Sequence, residues 1–193
     1  MNDFLTIDYW TQRYEKQQHA WDLGQISPPI KAYVDQLEDK EIHILIPGCG
    51  SGYEGAYLWE KGFKNVHILD FSPLPLDAFK EENPDFPLHQ IHCEDFLKHE
   101  ARYDLILEQT LFCAIDPLLR LNYASHASHL LREGGKLVGV LFNRTFDAGP
   151  PFGGNQAEYE TYFSSNFAVL HFHECYNSIQ PRSGFELFVK FIK

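Results

Sequence analysis

The sequence predicts an α/β fold: an open, mostly parallel sheet with helices on both faces, ending in a C-terminal antiparallel hairpin. Three observations predict it. From about Glu41 short apolar runs alternate with longer stretches of helical periodicity, the order that a wound sheet with crossover helices requires. Several runs, residues 137–142 among them, are too continuously apolar for a strand with one face in water, so the sheet should be covered on both sides. The first run also enters a glycine-rich turn that opens a helix, as strands do at the ligand edge of such sheets.

The elements follow in order. Residues 6–18 and 28–37 predict two helices, joined by a loop that holds Trp21, Asp22 and Gly24. Strands are expected at 42–46, 66–69, 88–91, 103–107 and 137–142. Ser72-Pro73 and Asp116-Pro117 each put a capping side chain before a proline whose missing N–H costs nothing at the first helical position. The helix after Asp116 carries Leu119, Tyr123, Ala127 and Leu130 on one stripe, with Gly134-Gly135 as its expected end. Residues 143–155 are rich in Gly and Pro, and a short helix leads to the hairpin runs 168–175 and 185–192. With 193 residues one domain is expected, residues 1–193, of which 1–40 form a helical cover.

Composition excludes several function classes. The chain has 16 Lys and Arg against 27 Asp and Glu, a net charge of −11, and no basic run, so nucleic acid is not an expected partner. The start, MNDFLTID, lacks the basic flank and apolar core of a secretory signal, and no stretch approaches the roughly 20 apolar residues that span a bilayer. A cytoplasmic monomer with no membrane partner is expected. Cys49, Cys93, Cys113 and Cys175 have no metal-site spacing, and neither His126 with His129 nor His171 with His173 is read as a metal site. No metal is expected.

The ligand is read from the strand ends. Gly48, Gly50 and Gly52 follow the first strand, where backbone must turn tightly and approach a ligand at a helix N-terminus. Asp70 ends the second strand, where a carboxylate can accept both hydroxyls of a ribose. The pattern is G-x-G-x-G, with Tyr53 where a dinucleotide fold would want its third glycine, and this favours S-adenosylmethionine over NAD. Asp95 and Phe96 follow the third strand, placed for a hydrogen bond from adenine N6 and for packing on its face. Gln109 ends the fourth strand at the same edge of the sheet, within reach of the methionine part of such a cofactor.

These residues belong to longer blocks: W-x3-Y-x6-WDxG at Trp10 to Gly24, PGCGSG at Pro47 to Gly52, LDFS at Leu69 to Ser72, EDF at Glu94 to Phe96, FCAIDP at Phe112 to Pro117 and GPPF at Gly149 to Phe152. In them the chain resembles the thiopurine S-methyltransferase family of class I S-adenosylmethionine-dependent methyltransferases, and within it the plant thiol and halide methyltransferases. The resemblance runs from Trp10 to the C-terminus and implies a Rossmann-like class I methyltransferase sheet. It implies that Trp10, Tyr14 and Trp21 belong to a segment covering the cofactor, with Tyr14 in place of a Trp. It assigns Gly48 to the cofactor loop, Asp70 to the ribose, Asp95 and Phe96 to the adenine, and Gln109 to the methionine end. Independently, Trp10 and Tyr14 stand at i and i+4 on one helix face, and aromatic rings suit a sulfonium or an adenine plane.

Two positions depart from related proteins. Ile46 stands where many class I methyltransferases have an acidic residue, and Phe142 where the relatives usually have a tyrosine, which puts halide methylation in doubt. Phe142, Asn143, Arg144 and Phe152 are the expected substrate pocket. The expected reaction is methyl transfer to a small thiol or a related soft nucleophile such as sulfide, a selenium compound or a thiopurine. Such a nucleophile needs no dedicated base, only alignment and exclusion of water. The alternatives are an O- or N-methyltransferase of a small metabolite, which would need a base, and a non-catalytic S-adenosylmethionine-binding protein. Trp10, Tyr14 and Trp21 precede the first strand with few expected long-range tethers, so they are read as a mobile lid.

Overall fold

The structure, a computed structural model, describes residues 5–193; the first four residues of the expected cover lie outside the described residues. Five strands run parallel: β1 (His43–Pro47), β2 (Asn65–Asp70), β3 (Ile91–Cys93), β4 (Tyr103–Gln109) and β5 (Leu131–Phe142). The hairpin strands β6 (Val169–Glu174) and β7 (Glu186–Ile192) pair with each other, and β7 lies antiparallel beside β5. The sheet order is β3-β2-β1-β4-β5-β7-β6. This is the expected sheet, mostly parallel with its antiparallel pair at one side. The order reverses at β1, between β2 and β4, which is where open sheets leave a crevice at the carboxyl ends of their strands.

The continuous apolar runs are explained by two cores. Side chains alternate across a strand, so Leu45, Leu69, Ile106 and Leu137 meet α5 (Arg120–Leu130) and α6 (Gln156–Phe163) through Tyr123, Ala127, Tyr159 and Phe163. On the other face Ile44, Ile46, Ile68, Leu105 and Leu107 meet α2 (Pro28–Val34), α3 (Tyr53–Glu60) and α4 (Pro73–Glu82) through Ile30, Val34, Leu58, Leu76 and Phe79. Both faces are dry. The N-terminal helix α1 (Ile7–Glu15) is capped by Thr6 and contributes no fully buried side chain. Among the described residues no helix is long and apolar enough to cross a membrane.

Three local expectations are corrected. Residues 88–90 form a 3-10 turn, and only Ile91–Cys93 pair with β2; this is the sheet edge, where Leu88 is 71% exposed and a strand has one neighbour to hold it. The helix after Asp116 ends at Leu130, before Gly134-Gly135. Leu131 is fully buried and pairs with Tyr103, and the two glycines fall where the register jumps to Leu105 and Lys136. Ser72 makes no side-chain cap, because its buried hydroxyl is engaged with Thr11 at 2.9 Å, tying α1 to the start of α4. Asp116 does cap as expected, accepting from Leu118 N.

Candidate functional site

β1 ends at Pro47, and Gly48, Gly50 and Gly52 all take positive φ before α3 begins. At Gly52, with φ of 73°, a Cβ would stand 2.4 Å from the Phe79 ring, and at Gly50 it would stand 3.1 Å from the Tyr14 hydroxyl. Glycine is therefore required by conformation and by space. The loop is braced by Asp70 at the end of β2, whose Oδ2 accepts from Gly50 N at 2.9 Å and whose Oδ1 accepts from Ser72 N at 2.9 Å. Asp70 is 7% exposed, and burial pushes its carboxyl up against the pull of those N–H donors. Each carboxylate oxygen has capacity left for a further donor.

Beyond Asp70 opens a cavity of about 730 Å³, within the size range of sites for cofactors and small ligands. Trp10, Tyr14, Trp21, Gly48, Asp70, Asp95, Phe96, Phe142 and Arg144 all line it. Asp95 Oδ1 accepts from Leu97 N at 3.0 Å, capping the short Phe96–Lys98 helix, while the Phe96 ring packs 5.0 Å from Tyr123. Gly50 and Gln109 line a small adjoining recess of about 50 Å³ shared with Trp21 and Gly48. There Gln109 Oε1 is buried with no hydrogen-bond partner, a state that costs free energy unless a donor arrives. Gly52 lines neither space, and its role is to let α3 start. Asn143 and Phe152 are also absent from the lining. Asn143 is exposed, and Phe152 is held by its backbone, donating to Cys113 O at 2.7 Å and accepting from the buried Arg120 at 2.9 Å.

The N-terminal segment is tethered more than expected. Ser51 donates to Asp22, Arg182 donates to Trp21 O at 2.9 Å, and the Thr11 contact holds α1. Trp21 thus stands edge-on to Trp10 at 5.5 Å and to Tyr14 at 5.8 Å. Burial, reinforced by the charge of Asp70, raises the Tyr14 phenol far above its usual range, so it stays neutral and can donate.

Two ends of the cavity differ in charge. Asp70, Glu94 and Asp95 crowd the edge at β2 and β3, whereas Arg144 and Arg182 stand with Phe142, Phe146 and Pro150 at the end of β5. Arg144 lies over the Phe146 and Phe185 rings at 4.8 and 4.5 Å. No histidine lines the cavity among the described residues, and burial pushes the Cys113 thiol up to about 12, so it offers no thiolate. Under the floor Glu108 is fully enclosed, accepting from Phe112 N at 2.9 Å and from the Tyr123 hydroxyl; burial raises its carboxyl to about 7.

Sequence reading named Asp22 in its loop without a role and missed Arg182 and Thr110. Thr110 lines both spaces with φ of 70°, an outlier for a β-branched residue of the kind that functional sites retain. Only the strand-end position beside Gln109 could have pointed to it.

The family model described as thiopurine S-methyltransferase matches residues 5–189. "Probable thiol methyltransferase 2" of Arabidopsis thaliana is 28% identical over 184 residues, covering 92% of this chain and 81% of that protein. "Thiopurine S-methyltransferase" of Pseudomonas fluorescens (strain SBW25) is 26% identical over 166 residues, 75% of each chain. Among solved structures, a TehB-like SAM-dependent methyltransferase from Corynebacterium glutamicum superposes with a TM-score of 0.67 at 20% identity over 97% of both chains, a likeness of fold.

Proposed function

Because the chain belongs to the thiopurine S-methyltransferase family and is an S-adenosylmethionine-dependent methyltransferase, we propose that it methylates a small thiol or a related soft nucleophile. The cavity fits the cofactor. Asp70 has lone pairs free for the two ribose hydroxyls, Asp95 and Phe96 offer an acceptor and an apolar face for the adenine, and the orphaned Gln109 Oε1 suits the ammonium of the methionine part. Gly48 and Gly50 keep side chains out of its way, Gly52 lets the loop turn into α3, and Trp10, Tyr14 and Trp21 would close over it. The domain is read as one unit, with the N-terminal segment as its cover and a small-molecule acceptor as its partner.

When bound, the cofactor supplies a methyl group on a sulfonium that is already a good leaving group. What remains for the chain is to hold the acceptor in line and keep water out. The aromatic wall of Phe142 and Phe146 excludes water and suits a polarisable sulfur, while Arg144 favours an acceptor that arrives as an anion; Arg182 is already paired with Glu186 at 3.5 Å. The observation that supports the reading is the aromatic and cationic end of the cavity, where Arg144 lies over the Phe146 ring beside Phe142. A thiol is already partly ionised near neutral pH, so it asks less of a base than a hydroxyl or amine acceptor does.

The test is a methyl-transfer assay with thiols, sulfide, selenide, iodide, phenols and amines, read by product mass. Thiols or sulfide should give the highest kcat/KM. A preference for phenols or amines would overturn the acceptor class, and cofactor binding without turnover on any of them would favour a non-catalytic role.

A further inference from the structure

On the sheet edge beside Asp95 lies a cluster of which only Glu94 also lines the methyl-transfer cavity. β3 carries His92, the turn after it Glu94, and the residue after the short Phe96–Lys98 helix is His99. One ligand atom from each lies within 4.8 Å of the other two. Glu94 Oε1 is hydrogen-bonded to His99 Nδ1 at 2.7 Å and lies 3.9 Å from His92 Nδ1. Around a tetrahedral zinc ion, ligand atoms at about 2.0–2.1 Å from the metal stand about 3.3 Å apart. These two separations bracket that value, the third lies within 4.8 Å, and side-chain rotation would have to draw the three atoms together around an ion.

The far nitrogen of each ring is already engaged. His92 Nε2 is 2.9 Å from His67 Nδ1, and His99 Nε2 is 2.7 Å from the Tyr103 hydroxyl. In the metal-free chain His99 Nδ1 donates to Glu94; a metal would replace that proton, and with the remaining proton on Nε2 of both rings His67 and Tyr103 would accept while the two Nδ1 lone pairs faced the ion. Such outer contacts fix the tautomer and orientation of metal-binding histidines. His99 is buried and positioned, while Glu94 is 41% exposed, which leaves one side open to solvent.

We propose that His92, Glu94 and His99 form a binding site for a divalent transition metal of the zinc class, with a fourth position open to water. Two imidazoles and one carboxylate suit zinc, cobalt or nickel rather than magnesium or calcium, which take oxygen ligands. The site is linked to the cavity. Glu94 N donates to Asp70 O at 3.1 Å, and Glu94 itself lines the cavity, so a bound metal would stiffen the backbone between Asp70 and Asp95. Binding at the two sites should then be reciprocally coupled. The metal-binding inference does not depend on the identity of the methyl acceptor.

The test uses the full chain treated with a chelator and dialysed, titrated calorimetrically with Zn²⁺ alone and, in parallel, with Co²⁺ followed by visible absorption. One saturable equivalent is expected, with the intense absorption of low-coordinate cobalt. His92→Gln and Glu94→Gln, both at partly exposed positions, should each weaken binding at least tenfold, and His67→Gln about 10- to 100-fold as an outer partner. His171→Gln, on β6, should leave it unchanged. Should a variant not fold, the unaltered chain still decides: Zn²⁺ should shift the imidazole NMR signals of His92 and His99 and not that of His171. No saturable equivalent, an affinity indifferent to His92→Gln and Glu94→Gln in folded protein, or shifts confined to other histidines would overturn the proposal.

Discussion

Replacing Asp70 by Asn separates the two tasks that this carboxylate combines. In the structure Oδ1 and Oδ2 each accept one backbone N–H, from Ser72 and Gly50, at 2.9 Å. Asn keeps the shape but turns one acceptor into an NH2 that faces a donor. Without ligand, one charge-assisted hydrogen bond worth about 1.5–3 kcal/mol is lost. Relief of a buried charge offsets part of this, because burial already disfavours the ionised form. The expected net loss of roughly 1–2 kcal/mol lowers Tm by about 2–8 °C in a chain of this size. For the cofactor, the ribose loses a charged acceptor worth about 1.5–3 kcal/mol, which is a rise in Kd of roughly 10- to 150-fold. Calorimetric titration with S-adenosylhomocysteine and thermal melts without ligand measure the two effects separately. A lowered Tm with Kd unchanged within twofold would refute the reasoning, showing that Asp70 only braces the glycine loop. NAD should not raise the Tm of the wild-type chain, whereas S-adenosylhomocysteine should.

Three other predictions follow from the same geometry. Phe142→Tyr should shift the kcat/KM ratio of thiol to iodide toward iodide, because a hydroxyl donor replaces some of the water an anion loses; an unchanged ratio in folded protein means that Phe142 does not face the acceptor. Asp22→Ala removes the tether to Ser51 and should raise the Kd for S-adenosylhomocysteine by about three- to tenfold through loosening of Trp21, with little change in Tm without ligand. Unchanged ligand-induced tryptophan fluorescence and affinity would show that the loop is held without it. Glu108, with its carboxyl raised by burial to about 7 from 4.5, contributes stability that is full below pH 4.5 and is lost as pH rises through about 7. That contribution is on the order of 3 kcal/mol. Glu108→Gln should therefore flatten the fall of Tm between pH 4.5 and 7 and melt higher than wild type at pH 8, and a parallel pH profile for both proteins would disprove the assignment.

The strand ends were the legible part of the site. In a parallel sheet all strands finish at one edge, so once the apolar runs were placed, Gly48, Asp70, Asp95 and Gln109 had to gather there without any three-dimensional information. The two-sided burial was equally readable, since runs such as residues 137–142 leave no polar face. Where sequence reading slipped, a local signal met a non-local circumstance. The run 88–91 looked like a full strand, but its place at the sheet edge left it with one neighbour, and Gly134-Gly135 looked like a helix end until the burial of Leu131 ended the helix sooner.

What the sequence by itself determined was thus whatever depends on residue type and short period: the alternation of strands and helices, the glycine turn, the acidic residues at strand ends and the aromatic pair of Trp10 and Tyr14. Tertiary structure alone decided the contacts between residues far apart in the chain. The bond from Arg182 to Trp21 O joins positions 161 residues apart, Phe152 N reaches Cys113 O from the far side of α5 in the chain, and His67 meets His92 only because β2 and β3 are neighbours. Periodicity reports which face of an element is apolar, but the choice of partner across the fold is made by packing, which places each side chain against whatever the neighbouring element presents.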